Sequence, residues 1–336
     1  MITGMPLASF EAAMLARLAH LRQHPAVFRH LTGLTVALFD ALAADLRPLL
    51  ARADRRRRDR PGRRRAPGAG HPYALTEADQ LLLTAVWLRH YPTQEVLGFL
   101  FGTSDSAAKR AVDRCLPALE QAGRDTRRMP DPGRGRRKAL PRLLADTPGL
   151  AVIVDTFEQR VQRPRRRQRA YYSGKKKGHT LKSQVAVDED GFVVHVADSV
   201  PGPRADLEVL DGSGLRGRLP AGVGILGDLA YVGLNNPRRR RRGTRRRRKA
   251  RARRRRAQGA TPRRKPRGRP RPAADRRYNR AFARRRVTVE HTIGRLRRFR
   301  SLAEADRHFR RGHSARVRAV AGLVNRQLQL SNPRAN

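Results

Sequence analysis

The chain has 336 residues and a formal net charge of +48, because 76 lysines and arginines outnumber 28 aspartates and glutamates. A charge of that sign and size predicts a polyanionic partner, most simply nucleic acid, with an anionic membrane surface as the alternative. No apolar run reaches a length of about 18 residues, which a membrane span needs, and the single cysteine, Cys115, excludes an internal disulfide and a cysteine zinc site.

Two helical patterns occupy the first 50 residues, one over residues 10–21 and one over residues 34–50. Apolar residues recur in both at the spacing of one helix face. These positions are Phe10, Met14, Leu18 and Leu21 in the first pattern and Leu38, Leu42, Leu46 and Leu49 in the second. We therefore expect a helical segment at 1–50, followed at 51–70 by a basic linker rich in proline and glycine.

Residues 71–123 have the pattern of three short helices. Thr76 begins the first in a capping-box-like motif, Thr93 begins the second, and a turn at Gly102 precedes the third, over residues 106–121. A short helix, a tight turn and a helix with basic residues near its start match a helix-turn-helix, although an ordinary three-helix bundle gives the same pattern. Because the chain is so basic, we favour DNA binding through three residues of the third helix: Lys109, Arg110 and Arg114.

A second basic linker, at 124–148, leads into a region of mixed strand and helix patterns. Its first apolar run predicts a buried strand that carries Asp155 to its open end. Residues 179–187 are expected to pair with it, and residues 192–197 to complete a hairpin. One acid would then lie on a rigid strand beside many basic residues, which suits a metal-dependent enzyme that acts on a phosphate backbone.

The later part of this region contains a second strand that ends in an acid, and two longer helices. Asp206 is expected to cap a short helix, and the apolar run 222–227 predicts a strand that ends at Asp228. Helices are predicted over residues 278–299 and 313–328.

An arginine-rich insert at 236–274 interrupts the region. Its residues 238–272 include 21 basic residues and no acidic residue. Such a composition leaves too little apolar surface to order a segment, so the insert is expected to be disordered.

Three acidic residues lie at comparable positions, since Asp155 and Asp228 end predicted strands and Glu290 lies on a predicted helix. Three such carboxylates can hold two divalent ions ~3.5–4 Å apart, and ligands that are all oxygen favour Mg²⁺ or Mn²⁺ over zinc. Arg286 and Arg297 share the helix face of Glu290 and could hold DNA phosphates. Each acid alone could equally be a cap, a turn residue or an ion-pair partner, and other acids compete for the metal role: Glu158, Asp188, Asp198 and Asp206.

Several short motifs follow one another in an order that is specific as a set. They are Val154-Asp155-Thr156, the Gln162-Arg-Pro run, Tyr171-Tyr-Ser-Gly-Lys-Lys-Lys with His179-Thr-Leu-Lys182, Gly227-Asp-Leu-Ala-Tyr231, and Arg286-x3-Glu290-x6-Arg297. With the stretch 81–101, they resemble a DDE-type insertion-sequence transposase of the insertion-sequence-five group, over most of residues 70–325. The resemblance implies an α/β fold, with an RNase H-like mixed-sheet catalytic core at 149–330 preceded by an all-α helix-turn-helix domain.

The same resemblance implies that Asp155, Asp228 and Glu290 are the catalytic and metal-binding triad, with two Mg²⁺ or Mn²⁺ ions per active site. The family cuts DNA at transposon ends and joins the freed 3′-hydroxyl to target DNA. We therefore expect a transposase that binds terminal inverted repeats and acts as a homodimer in a synaptic complex. Further DNA contacts are expected from one basic motif, namely Lys175, Lys176, Lys177, His179 and Lys182.

Two alternatives stay open from the sequence. One is a catalytically degenerate DNA-binding protein derived from a transposase, and the other is a stand-alone nuclease that cuts DNA without joining ends. In each case the partner is double-stranded DNA and no membrane is involved. No basic segment followed by an apolar run begins the chain, so we expect a cytoplasmic, nucleoid-associated protein.

Overall fold

The computed structural model describes residues 15–59, 61–62, 73–133, 140–234, 259–308 and 310–332. The chain divides into two compact units. The first consists of Met1–Asp125, Arg297–Glu304 and Arg318–Ser331, and the second of Thr126–Leu296, Ala305–Val317 and Asn332–Asn336. Phe10 and Met14, two positions of the first predicted helix, lie outside the described residues.

Helices make up most of the first unit. Their bounds are α1 Leu18–Arg22, α2 Pro25–Thr32, α3 Val36–Arg58, α4 Glu77–His90, α5 Gln94–Leu100 and α6 Asp105–Ala122. Every residue from 80 to 88 in α4 is buried, so neighbouring elements cover this helix on all sides. Across the described ranges, no helix is long and apolar enough to cross a membrane.

Side-chain caps confirm the predicted starts of the helices in the helix-turn-helix region. The hydroxyl oxygens of Thr76, Thr93 and Ser104 each accept a hydrogen bond from the backbone N–H three residues later, at 3.1, 3.3 and 3.2 Å. Such caps satisfy N–H groups that have no partner within the helix. The three-helix pattern predicted for residues 71–123 is therefore present as α4, α5 and α6.

The linker predicted at 51–70 is wrong in its first part, because α3 continues through Arg58. Arginine is a good helix former. The four arginines in the last turn also interact favourably with the negative end of the helix dipole. Asp54 also anchors this end of α3, since its carboxylate lies 2.8 Å from the guanidinium of Arg114 on α6.

The second unit contains a seven-stranded mixed sheet. Its strands are β1 Leu150–Arg160, β2 Tyr172–Ser173, β3 Gly178–Val187, β4 Val193–Val196, β5 Val200–Pro201, β6 Val223–Leu226 and β7 Gly259–Ala260. The main path runs β2-β3-β1-β6-β7, and β4 and β5 also pair with β3. Strand β1 is antiparallel to β3 and parallel to β6.

Five further helices follow in chain order, α7 Gln168–Tyr171, α8 Asp206–Gly212, α9 Leu215–Arg218, α10 Ala273–Arg297 and α11 His313–Ser331. Leu207 and Leu210 of α8 pack against Val152 and Val154 on one face of β1. The helical N-terminal region followed by a mixed sheet with helices confirms the predicted α/β class, and it is consistent with an RNase H-like core.

The predicted hairpin is confirmed, but the predicted position of Asp155 is wrong. Strand β1 extends five residues beyond it, to Arg160, so Asp155 lies in the middle of the strand. The polar residues after Asp155 stay in the sheet because β3 supplies a partner for each of them. Glu158, for instance, lies opposite Lys182, and such a pair of opposite charges stabilises neighbouring strands.

The disorder predicted for 236–274 is wrong for its described part, which begins at residue 259. Strand β7 pairs in parallel with β6, and Gly227 donates a backbone hydrogen bond to Ala260 at 3.1 Å. Arg263 is held by Asn279, which exchanges two hydrogen bonds with its backbone at 2.8 and 3.0 Å. Strand pairing uses backbone groups alone, so a segment with few apolar side chains can still join a sheet.

Candidate functional site

Two predicted site residues lie at the same level of neighbouring strands. Ile153 of β1 pairs with Leu226 of the parallel strand β6, and Asp155 and Asp228 each follow two residues later. The parallel register therefore places the two aspartates at the same level, with Asp155 within β1 and Asp228 just after the end of β6. Burial, with smaller contributions from the negative charges of Asp228 and Asp206, raises the pKa of Asp155 to about 6.

The third predicted carboxylate, Glu290, lies on α10 one turn after Arg286. The Arg286 guanidinium lies between two acids, because Nη2 is 3.6 Å from Oδ2 of Asp155 and Nη1 is 3.9 Å from Oε1 of Glu290. The Glu290 side chain is 58% exposed, whereas that of Asp155 is 21% exposed. The predicted shared face of Arg286 and Glu290 is confirmed, and this face borders the middle of β1.

A second buried cation, Lys182, lies near the other predicted acids. Its Nζ donates to Oδ1 of Asp206 at 2.6 Å and to the carbonyl of Arg204 at 2.7 Å, and it is 3.8 Å from Oε1 of Glu158. The prediction that Asp206 caps a helix is wrong, since Ala205 is the N-cap of α8 and makes no side-chain cap. The predicted DNA contact of Lys182 has no support in this placement, because protein oxygens already surround its ammonium group.

Comparison with known proteins identifies the family of this chain. The chain matches a family model described as DDE superfamily endonuclease over residues 154–325, just over half of its length. The chain belongs to the DDE superfamily endonucleases. A second model, described as the helix-turn-helix of DDE superfamily endonuclease, matches residues 73–125 and supports DNA binding by α4, α5 and α6. The first match includes Asp155, Asp228 and Glu290.

A curated relative supports the same family. The chain is 25% identical over 207 residues to a protein named "Probable transposase for insertion sequence element IS702", from Microchaete diplosiphon. The match covers 62% of this chain and 66% of the relative, just under two thirds of its length. No solved structure matches the chain. Both matches support the predicted DDE-type insertion-sequence transposase, and membership of the insertion-sequence-five group stays a prediction.

Members of the DDE superfamily generally use divalent metal ions, and the chemistry of this site fits such ions. Carboxylate oxygens suit Mg²⁺ and Mn²⁺, the raised pKa of Asp155 reflects a buried position with negative neighbours, and a cationic side chain already lies between Asp155 and Glu290. Within the part of the chain that the structure describes, however, no three acids, histidines or cysteines are gathered closely enough to form a finished metal site.

Tyr231 supports the loop that carries Asp228, a role that the sequence did not reveal. Its ring is fully buried, and its hydroxyl accepts a hydrogen bond from Nε2 of Gln184 at 3.0 Å. A Cβ at Gly227 would lie 2.7 Å from this ring, so only glycine allows the close approach. Burial and then the negative charge of Asp206 raise the pKa of the Tyr231 phenol, which keeps it protonated. The motif Gly227-Asp-Leu-Ala-Tyr231 was the available signal.

The residues predicted to contact DNA from the helix-turn-helix differ in exposure. Lys109 and Arg110 are exposed on α6, and Lys109 pairs with Asp113 one turn later. Arg114 is mostly buried and donates to Asp54, Glu77 and Gln80 at 2.8, 2.9 and 3.0 Å. This guanidinium binds other residues of the helical unit, so its predicted DNA contact lacks geometric support.

The remaining predicted DNA contacts lie outside that region. Lys175, Lys176 and Lys177 are exposed in the turn between β2 and β3. His179 is half-buried at the start of β3, opposite Tyr172, with the two rings 5.7 Å apart. Arg297 is exposed at the end of α10. The lysine turn therefore has the accessibility that a phosphate contact needs.

Proposed function

We propose that this DDE superfamily endonuclease is a transposase that binds the terminal inverted repeats of an insertion sequence, cuts the DNA at its ends and joins them to target DNA in a metal-dependent reaction. One observation carries the proposal: Asp155 within β1 and Asp228 just after the parallel strand β6 are level in register, with Glu290 on the far side of a shared guanidinium. The family membership and the relative named a probable transposase support it.

In this proposal Asp155, Asp228 and Glu290 hold two Mg²⁺ or Mn²⁺ ions. When bound, such ions activate a water or 3′-hydroxyl nucleophile and stabilise the leaving oxygen of the phosphodiester. Burial of Asp155 limits competing water, yet a pKa of about 6 leaves its carboxylate mostly ionised at neutral pH and available as a ligand. Tyr231 and Gly227 position the Asp228 loop against the sheet.

DNA binding is assigned to two exposed basic groups. Lys109 and Arg110 would contact the terminal repeat from α6, which is the third helix of the helix-turn-helix. Lys175, Lys176 and Lys177 would neutralise backbone phosphates, which carry no sequence information but strengthen binding at low salt. A homodimer is proposed for the synaptic complex because two transposon ends must be joined in one reaction.

The test is nicking of a short duplex that carries the ends of the element, with Mg²⁺ or Mn²⁺ present. Asp155→Asn, Asp228→Asn and Glu290→Gln should each reduce nicking to background while the protein still binds the duplex. Glu208→Gln removes the same charge from an exposed position on α8 and should retain activity.

Other outcomes would point to a different function or to a different set of metal ligands. Duplex binding without any nicking by the wild type would support the catalytically degenerate DNA-binding protein. Nicking without transfer of the freed 3′-hydroxyl to a second duplex would support the stand-alone nuclease. Nicking that survives one of the three substitutions would show that this carboxylate is not a ligand.

A further inference from the structure

The guanidinium of Arg286 is buried, and its polar contacts are long. The residue is 9% exposed, and its Nε atom is buried with no hydrogen-bond partner among the described residues. Its distances of 3.6 Å to Asp155 and 3.9 Å to Glu290 exceed hydrogen-bonding distance. Buried charges are normally both paired and hydrogen-bonded, so this arginine has donors to offer another acceptor.

The neighbouring residue on α10, Arg285, has a guanidinium that is anchored by several polar contacts. Arg285 pairs with Glu189 and donates to the carbonyl of Pro148 at 2.7 Å and to the hydroxyl of Thr147 at 3.2 Å. Both arginines lie on α10 and both are largely buried as side chains. Arg286 therefore has longer polar contacts than Arg285, although the two side chains are buried to a similar extent.

We propose that Arg286 couples DNA binding to metal binding. In the DNA-free protein its guanidinium pairs with Asp155 and Glu290 and offsets part of their negative charge, and a DNA phosphate draws it away so that these carboxylates can take the divalent ion. The inference rests on the proposed function, because it requires both acids to be metal ligands. It adds that the metal site is suppressed until DNA is bound.

The coupling follows from charge and geometry. A guanidinium about 4 Å from two carboxylates competes with a divalent ion for the same negative charge. A phosphate offers the planar, bidentate partner that a guanidinium prefers, and so it can replace the two loose ion pairs. By linkage, the factor by which DNA raises metal affinity must equal the factor by which metal raises DNA affinity.

The experiment measures Mn²⁺ binding to the full chain by the electron paramagnetic resonance of free Mn²⁺. Each protein is titrated at constant ionic strength, with and without a short duplex that already ends at the element's terminus, and Mn²⁺ bound by the duplex alone is subtracted. We expect the duplex to raise the affinity of the wild type for Mn²⁺ by about tenfold, which is within the usual range of coupling between sites.

Substitutions at and near Arg286 separate its role from a general effect of charge. Arg286→Gln should bind Mn²⁺ about tenfold more tightly than the wild type without DNA and gain little more when DNA is added. Arg284→Gln removes the same charge from an exposed position on α10 and should behave like the wild type. Arg286→Lys retains the positive charge and should keep weak binding in the absence of DNA.

A measurement on the wild type alone covers the case in which Arg286→Gln does not fold. Duplex affinity should rise with Mn²⁺ by the same factor as Mn²⁺ affinity rises with duplex. Equal Mn²⁺ affinity with and without duplex would overturn the coupling. If Asp155→Asn still abolished Mn²⁺ binding in that case, the metal site would stand and only the role of Arg286 would fall. Absence of Mn²⁺ binding under both conditions would overturn the coupling and the proposed function together.

Discussion

Two buried cations of the second unit, Lys182 and Arg286, each lie beside two carboxylates. Lys182 makes hydrogen bonds of 2.6 and 2.7 Å, and the side chains of its acids, Asp206 and Glu158, are 16% and 10% exposed. Arg286 lies 3.6 and 3.9 Å from Asp155 and Glu290, which are more accessible to water. Lys182 and its two acids therefore form a hydrogen-bonded cluster with little exposure to water. Arg286 and its two acids form longer ion pairs that water can reach.

Removal of each cation in turn tests whether the two sets of ion pairs differ in their contribution to stability. Lys182→Met should lower the free energy of unfolding by about 3–5 kcal/mol, because it leaves two buried carboxylates uncompensated. Arg286→Met should lower it by at most about 1 kcal/mol, because Asp155 and Glu290 are more exposed to water and can be hydrated, as in a surface ion pair. Urea denaturation in the presence of EDTA measures both values. Equal losses would show that the two pairs do not differ in kind.

A buried histidine in the same unit provides a pH-dependent test. His313 contacts Gln159 and Ser199, each at 2.8 Å, and burial lowers its pKa to about 4. The folded protein therefore disfavours the protonated ring, so this contribution is present above pH 6.5 and is lost as the pH falls towards 4. The expected loss is up to about 3 kcal/mol, and His313→Gln should flatten that part of the pH profile. An unchanged profile would contradict a buried neutral ring.

Asp155 should show the opposite sign of pH dependence. Its folded pKa of about 6 lies above the ordinary value of 3.8, so ionisation disfavours the folded state as the pH rises from about 4 to about 6. Asp155→Asn should therefore raise the free energy of unfolding by roughly 1–2 kcal/mol at pH 8 and have little effect below pH 4. Urea titrations in EDTA at the two pH values measure this gain. A loss at pH 8 would mean that Asp155 stabilises the fold.

The smallest effect concerns the lysines. Replacing Lys175, Lys176 and Lys177 together by alanine should reduce the slope of log affinity for duplex against log salt by about 2.7, if each contacts one phosphate. Lys182→Met should leave that slope unchanged, because its ammonium group is enclosed by protein oxygens. Fluorescence anisotropy between about 50 and 200 mM salt measures both slopes. A reduced slope for Lys182→Met would show that Lys182 contacts DNA phosphates.

Local patterns in the sequence determined the elements that depend on nearby residues. The caps at Thr76 and Thr93 and the pairing of β3 with β4 were predictable because each interaction joins residues close along the chain. The motif order also identified Asp155 and Asp228 as candidates, since each follows a short apolar run. The resemblance carried by these motifs supplied the fold class, and the choice of Asp155, Asp228 and Glu290 as the site acids stays a prediction.

The charge pairs of the site depend on contacts that form only in the folded chain. Lys182 and Arg286 both belong to basic motifs, and nothing in those motifs indicates that each contacts acids distant in sequence, such as Asp206 and Asp155. The extension of β1 to Arg160 and the pairing of β7 likewise required partner strands from elsewhere in the chain. The physical reason is that strand register and charge pairing depend on contacts between segments that are distant in sequence, which local composition does not encode.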